Sequence, residues 1–237
     1  MSIGIPGSLT WCGHAAFRIT TKTGRVVYID PWLSGNPACP EQLKRPDRCD
    51  AILLTHGHGD HIGDTIELAK RHGTTVVAMV ELADWLAGKG VRNIIGMNKG
   101  GTVPVADLRA TMVHAYHSSS IRDGDRMLYG GEAAGFVVHM SDHFSFYHAG
   151  DTNVFGDMRL IGQLYSPALA LLPIGGHYTM SPKEAALAIE LLGVRHVVPM
   201  HHGTFPVLRG TPDELSSLLA GHPQVTIHAL KPGDTLN

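Results

Sequence analysis

Short apolar runs recur along the chain, and several run directly into a Gly, Asp or His. Leu9-Thr10-Trp11, Ala16-Phe17-Arg18-Ile19 and Val26-Val27-Tyr28-Ile29 predict the opening strands, with Lys22-Thr23-Gly24 as the hairpin turn between the second and third. Ala51-Ile52-Leu53-Leu54-Thr55 predicts a buried strand, and the stretch from Asp64 to Arg71 predicts a helix stopped by Gly73. Later strands are expected at Leu108 to Ala115, Phe144 to Ala149 and His196 to Met200, with a closing strand from Val225 to Leu230. Two helices carry explicit start signals. Ser181-Pro182-Lys183-Glu184 combines an N-cap, a first-position Pro and a third-position Glu before an Ala/Leu/Ile stripe ending at Gly193, and Thr211-Pro212-Asp213-Glu214 repeats the signature before Gly221. Leu33 to Asp50 and Ser118 to Gly135 have no periodicity and predict long loops. Strand-rich stretches followed by helices place the chain in the α/β (α+β) class, as two sheets packed face to face with helices outside.

The 237 residues are 43% hydrophobic, which suits one domain over 1–237 with a full core and no linker. A net charge of -2 argues against a sequence-independent grip on nucleic acid or an anionic membrane. Met1 to Gly7 has neither a basic n-region nor an apolar h-region, and no apolar run has the length of a membrane span, so the expectation is a soluble cytoplasmic protein. Cys12, Cys39 and Cys49 are odd in number and spaced neither as a zinc knuckle nor as a CxxC pair, hence reduced thiols.

The stretch Thr55-His56-Gly57-His58-Gly59-Asp60-His61-Ile62-Gly63-Asp64 changes the picture. Its imidazoles and carboxylate crowd too closely to pack as core, and imidazole nitrogen with carboxylate oxygen is the donor set of zinc and neighbouring first-row cations. Gly57 and Gly59 are expected to let the backbone turn tightly. On an extended segment His56, His58 and Asp60 would share one side and His61 the other, which suits two metals better than one. The cluster follows a strand, as do His117, Gly150-Asp151-Thr152 and His201-His202-Gly203. Strand C-terminal ends are where open α/β sheets bind ligands. Asp151, next to Gly150, is the best candidate for a bridging carboxylate. Asp30, between a strand and Pro31, is a candidate to orient a ligating His, and His14 is a weaker candidate for such a role. Lys44, Arg45, Arg48, Arg122 and Arg126 lie in the two long loops, where they either meet a substrate anion or form solvated surface charge.

The THxHxDH motif, followed in order by His117, Gly150-Asp151-Thr152 and His201, resembles the metallo-β-lactamase superfamily over nearly the whole chain. Gly13-His14, Ile29-Asp30-Pro31, Leu54 to His58, His148 to Thr152 and Pro199-Met200-His201 are similar to the small prokaryotic metal-dependent hydrolases related to ascorbate-6-phosphate lactonase. The resemblance implies a four-layer αββα sandwich of two mixed β-sheets. It also implies two divalent ions, one held by His56, His58 and His117, the other by Asp60, His61 and His201, with Asp151 between them. Zinc suits the imidazole-rich set, and manganese or iron fit the same donors. A hydroxide bridging the two metals would attack a lactone or ester of small size, with Asp60 helping to orient it. An anionic substrate fits the residual positive charge of such a site, and a homo-oligomer stays open. Hydrolysis of a small phosphodiester or nucleotide is the alternative, and a noncatalytic metal-binding protein the second.

Two positions depart from the family pattern. His202-Gly203 stands where Tyr-Asn is usual, and Gly176-His177 stands where Asp-Asn is usual before the segment corresponding to Tyr178-Thr179-Met180. His177 and His202 are therefore expected at the substrate side, as proton donors or as lining of the cleft.

Overall fold

The computed structural model describes residues 3–237. The chain opens with β1 (Gly7–Gly13), β2 (Ala16–Thr21) and β3 (Val26–Ile29), an antiparallel meander to which β4 (Ala51–Leu53), β5 (Thr75–Met79) and β6 (Ile94–Met97) add in parallel. β7 (Thr102–Val105) and β8 (Leu108–His114) begin a second sheet. A detached hairpin of β9 (Ser120–Asp123) and β10 (Arg126–Tyr129) follows. The second sheet then resumes with β11 (Ala134–His139), β12 (Ser145–His148), β13 (Leu169–Pro173), β14 (His196–Met200) and β15 (Thr226–Ile227). Finally β16 (Thr235–Leu236) returns to the first sheet, pairing Leu236 with Leu9.

Among the described residues six helices complete the order: α1 (Gly59–Ile62), α2 (Thr65–His72), α3 (Val80–Gly88), α4 (Met158–Tyr165), α5 (Pro182–Leu192) and α6 (Pro212–Leu218). Three apolar clusters arrange them in layers. Leu9, Phe17, Ile29 and Leu53 of the first sheet meet Met112, Phe136, Leu171 and Val198 of the second in a shared core. The opposite face of the first sheet packs on Leu68 of α2 and Leu82 and Leu86 of α3. The opposite face of the second packs on α4, α5 and α6 through Ile161, Ile189 and Leu215. The result is an αββα sandwich. β4 explains its own sequence: Ala51 and Leu53 face the core between the sheets while Ile52 and Leu54 face the helices, so every position is apolar.

The predicted closing strand is shorter than the Val225 to Leu230 run. Only Thr226 and Ile227 pair with β14, and the strand that ends the fold is β16, too short to show a period. The loop from Leu33 to Asp50 holds a single 3₁₀ turn, Glu41–Leu43, and is tied down where Asp64 Oδ2 accepts the Leu33 and Ser34 amides at 2.7 and 2.9 Å. Lys44 pairs with Glu41 at 3.0 Å and Arg48 with Asp50 at 2.7 Å, so these two loop cations are engaged on the surface. No helix among the described residues is long and apolar enough to cross a membrane.

β8, β12 and β14 run in the same direction, since β8 and β12 are both antiparallel to β11 and β12 to β14 are parallel. Their C-terminal ends therefore share one edge, and β3 and β4 run parallel in the facing sheet. The polar segments after these strands meet across the sandwich.

Candidate metal centre

Among the described residues three groups of donors form where those segments meet, one of which, Asp30 with His56 and His61, shares its imidazoles with the other two. His56, His58 and His117 bring ligand atoms within 4.8 Å of one another, and His14, Asp60, His61 and His201 do the same. The division differs from simple alternation along the chain, which put Asp60 with His56 and His58. After His58 the backbone enters the one-turn helix α1, which swings Asp60 and His61 together toward the second group. Gly57 is required by close approach, because a Cβ there would lie 2.8 Å from Ile121 Cγ1. Gly59, in contrast, opens α1 without a positive φ and with nothing within 4 Å of a built Cβ.

Asp151 stands between the groups. Its Oδ2 lies 3.1 Å from His201 Nε2, 3.3 Å from His61 Nε2, 3.6 Å from His117 Nε2 and 4.0 Å from His56 Nε2. None of the closest approaches is aligned as a hydrogen bond. His61 Nε2, both ring nitrogens of His201 and Asp151 Oδ1 are buried with no partner among the described residues. Buried polar atoms are ordinarily paired, so convergent, unpaired donors of this type are what a cation would satisfy. The residues present thus fit divalent metal.

Electrostatics agree. Burial alone would push His61 down, yet the Asp151 and Asp30 carboxylates outweigh it and hold the imidazole well above its ordinary value. Burial would push Asp151 up, but His201 and His61 hold it well below the carboxylate range. His56 is driven well below its ordinary value by burial and then by His61, and burial also lowers His58 and His117. Neutral His56, His58 and His117 beside an ionised Asp151 are in the protonation states that ligate metal, whereas His61 carries a proton between Asp151 and Asp30 that a bound cation would replace.

A second tier of contacts fixes the donors. Asp30 Oδ2 lies 2.7 Å from His61 Nδ1 and accepts Thr55 Oγ1–H at 2.6 Å, while Oδ1 accepts the Thr55 amide at 2.9 Å. Thr55 Oγ1 is also 2.9 Å from His56 Nδ1, so one carboxylate orients a donor in each group. His14 Nε2 is 3.0 Å from Asp60 Oδ2. His14, Asp30 and His201 hold positive φ of 56°, 47° and 53°, a costly backbone for non-glycine residues that concentrates at functional sites.

A profile of the Beta-lactamase superfamily domain matches residues 25–202. A UPF0173 metal-dependent hydrolase of Koribacter versatilis is 52% identical over 227 residues, covering 96% of both chains. The chain belongs to this family of metal-dependent hydrolases, within the metallo-β-lactamase superfamily. A UPF0173 relative from Rubrobacter xylanophilus is 52% identical over 230 residues, 96% of this chain and 95% of that one. Among solved structures, the metallo hydrolase Igni18 of Ignicoccus hospitalis is 36% identical with a TM-score of 0.84, covering 97% of each chain.

In this UPF0173 chain a cleft of about 650 Å³ opens over the donors, lined by His58, Asp60, His117, Asp151 and His201 and rimmed by Ser118, Arg122, Tyr178 and Phe205. The two expected proton donors lie off it. His202 is held beneath, its ring 5.4 Å from that of Trp11 and its Nε2 buried without a partner. Burial pushes it down to about 4. His177 turns into a neighbouring groove with Ser181, Arg209 and Glu214. The turn after Gly176 aims Tyr178, the next residue, at the cleft instead. Phe205 sits in an irregular loop with no pattern that sequence reasoning could use, and Tyr178, although in the segment that the family resemblance marks, had no role assigned to it.

Proposed function

We propose that the protein hydrolyses a small-molecule lactone or ester using two divalent cations, with zinc the best match to the donors and manganese or iron as substitutes. His56, His58 and His117 would hold one, Asp60, His61 and His201 the other, and Asp151 would bridge. The observation that carries this reading is the position of Asp151 Oδ2, within 4.0 Å of Nε2 of His56, His61, His117 and His201. When bound, such ions bring the pKa of coordinated water to about 7 and counter the charge on a polarised carbonyl oxygen. The chain's own residues do the rest. Asp30 and Thr55 lock the rings of His61 and His56, His14 holds Asp60, and Phe205 and Tyr178 shield and orient a substrate in the cleft. Tyr178 offers a hydroxyl at the rim able to hydrogen-bond a leaving oxygen. A phosphodiester is the second reading, favoured by Arg122 at the same rim.

The test is metal content per chain together with turnover of a zinc- or manganese-loaded preparation on a simple lactone and a simple aryl phosphodiester, with Asp151→Asn as the blank. Two ions per chain and preference for the lactone are expected. Preference for the phosphodiester selects the second reading. One ion per chain removes the bridging role, and two ions with no turnover of either substrate leaves a noncatalytic metal-binding protein.

A further inference from the structure

The β9–β10 hairpin begins just after His117 and presents two unlike faces. Ile121 and Leu128, paired across the strands, turn inward onto the apolar layer beneath the first sheet. Arg122 and Met127, the next pair, turn outward, with Met127 57% exposed. The hairpin is fixed to the donor turn: Ser119 Oγ accepts the Gly57 amide at 3.1 Å and donates to the Gly130 carbonyl at 3.2 Å, and Ile121 is 1% exposed. Asp123, the carboxylate nearest Arg122 in the chain, is drawn to the opposite side by Lys89 Nζ at 2.6 Å and Trp85 Nε1 at 3.0 Å. Among the described residues Arg122 has no ion-pair partner, and it is the only Lys or Arg lining the cleft.

We propose that Arg122 is the specificity-determining side chain of this cleft and that it reads an anionic substituent, a carboxylate or a phosphate, on the ester or lactone; this rests on the hydrolytic reading above. Arg122 is exposed, and exposure alone would mean little. It stands, however, on a short, stitched hairpin at the mouth of a site whose floor carries Asp60 and Asp151, so an anionic substrate needs a cation away from the floor to orient it. A guanidinium supplies a planar fork that matches carboxylate or phosphate with two parallel hydrogen bonds. Tyr178 and Phe205, the latter packed 5.8 Å from Trp32, line the apolar space for the body of the substrate. The occupant is thus a short molecule with a hydrolysable bond over the donors and a negative group at the hairpin.

The experiment titrates zinc-loaded protein calorimetrically with butyrate, glutarate and 3-phosphonopropionate. Each offers one carboxylate to the metals, and the latter two add a second anion of either kind. Wild type is expected to bind at least one of the two-anion ligands about tenfold more tightly than butyrate, the tighter one naming the substituent. Arg122→Met should bring that ratio close to unity, Arg122→Lys should restore it in part, and Arg126→Met, the other arginine of the hairpin, should keep it. No preference in wild type, an unchanged ratio in Arg122→Met, or an equal loss in Arg126→Met overturns the proposal. Parallel kinetics on 4-nitrophenyl butyrate and mono-4-nitrophenyl glutarate separate the two readings. An intact binding ratio without turnover of either ester removes the hydrolytic reading and leaves Arg122 as an anion-reading residue.

Discussion

His14 Nε2 lies 3.0 Å from Asp60 Oδ2, linking the turn after β1 to the one-turn helix that carries Asp60 and His61. Its other ring nitrogen is 3.0 Å from Thr204 Oγ1, and its ring centroid is 3.8 Å from that of His201. His14→Ala should therefore weaken cation binding at the Asp60, His61 and His201 group by about 10- to 100-fold. The group of His56, His58 and His117 should keep its affinity. Chelator competition on the variant resolves the two, and equal loss at both would show that His14 supports the fold rather than one group.

Of the strands that carry the donors, β4 was legible because it is covered on both faces and reads as an unbroken apolar run, and β12 and β14 because their centres, Phe146-Tyr147 and Val197 to Met200, are apolar and buried. Helices α5 and α6 were legible because Ser181 and Thr211 cap them through their side chains. Helices α3 and α4 start at Met79 and Asp157 with no side-chain cap, and no start signal marked either. The donors themselves followed from residue type, whereas the fate of His177 and His202 depended on which way two loops turn. A difference of one residue, Tyr178 in place of His177, decides what faces the cleft.

Gly150→Ala should lose about 2 to 3 kcal/mol or more of stability. Gly150 has φ +62°, and a Cβ would stand 2.6 Å from the Ala134 carbonyl oxygen and 3.0 Å from Thr55 Cβ. Gly156→Ala, with nothing within 4 Å and no positive φ, should stay within about 0.5 kcal/mol. Urea denaturation of both variants measures the contrast, and equal midpoints would refute the close approach.

Asp50 supplies a pH signature away from the metal centre. Burial would raise its pKa, but Arg48, the Val26 amide and Arg25 outweigh that and lower it from 3.8 to about 2. Because the folded value is depressed, its contribution is complete above the unfolded pKa and disappears as pH falls through about 2. Wild type should exceed Asp50→Asn by on the order of 1 kcal/mol at neutral pH, with the gap narrowing at about pH 3. A gap independent of pH would assign the loss to packing instead.

Removal of metal should lower thermal stability. A ligand that binds only the folded state at a thousandfold excess over its dissociation constant adds about 4 kcal/mol, so chelation should lower the melting temperature by on the order of 10 °C. Calorimetry with and without chelator, followed by back-titration with zinc, checks the direction and its reversal.

The donor groups also constrain the order of events in folding. His56, His58, Asp60 and His61 follow a strand of the first sheet, while His117, Asp151 and His201 follow strands of the second. Each group draws from both, so neither exists until the two sheets have docked. A cation cannot template this chain early, as it does in a zinc finger; it arrives as a late rivet, closing loops that span much of the sequence and slowing the sheets' separation more than it speeds their meeting.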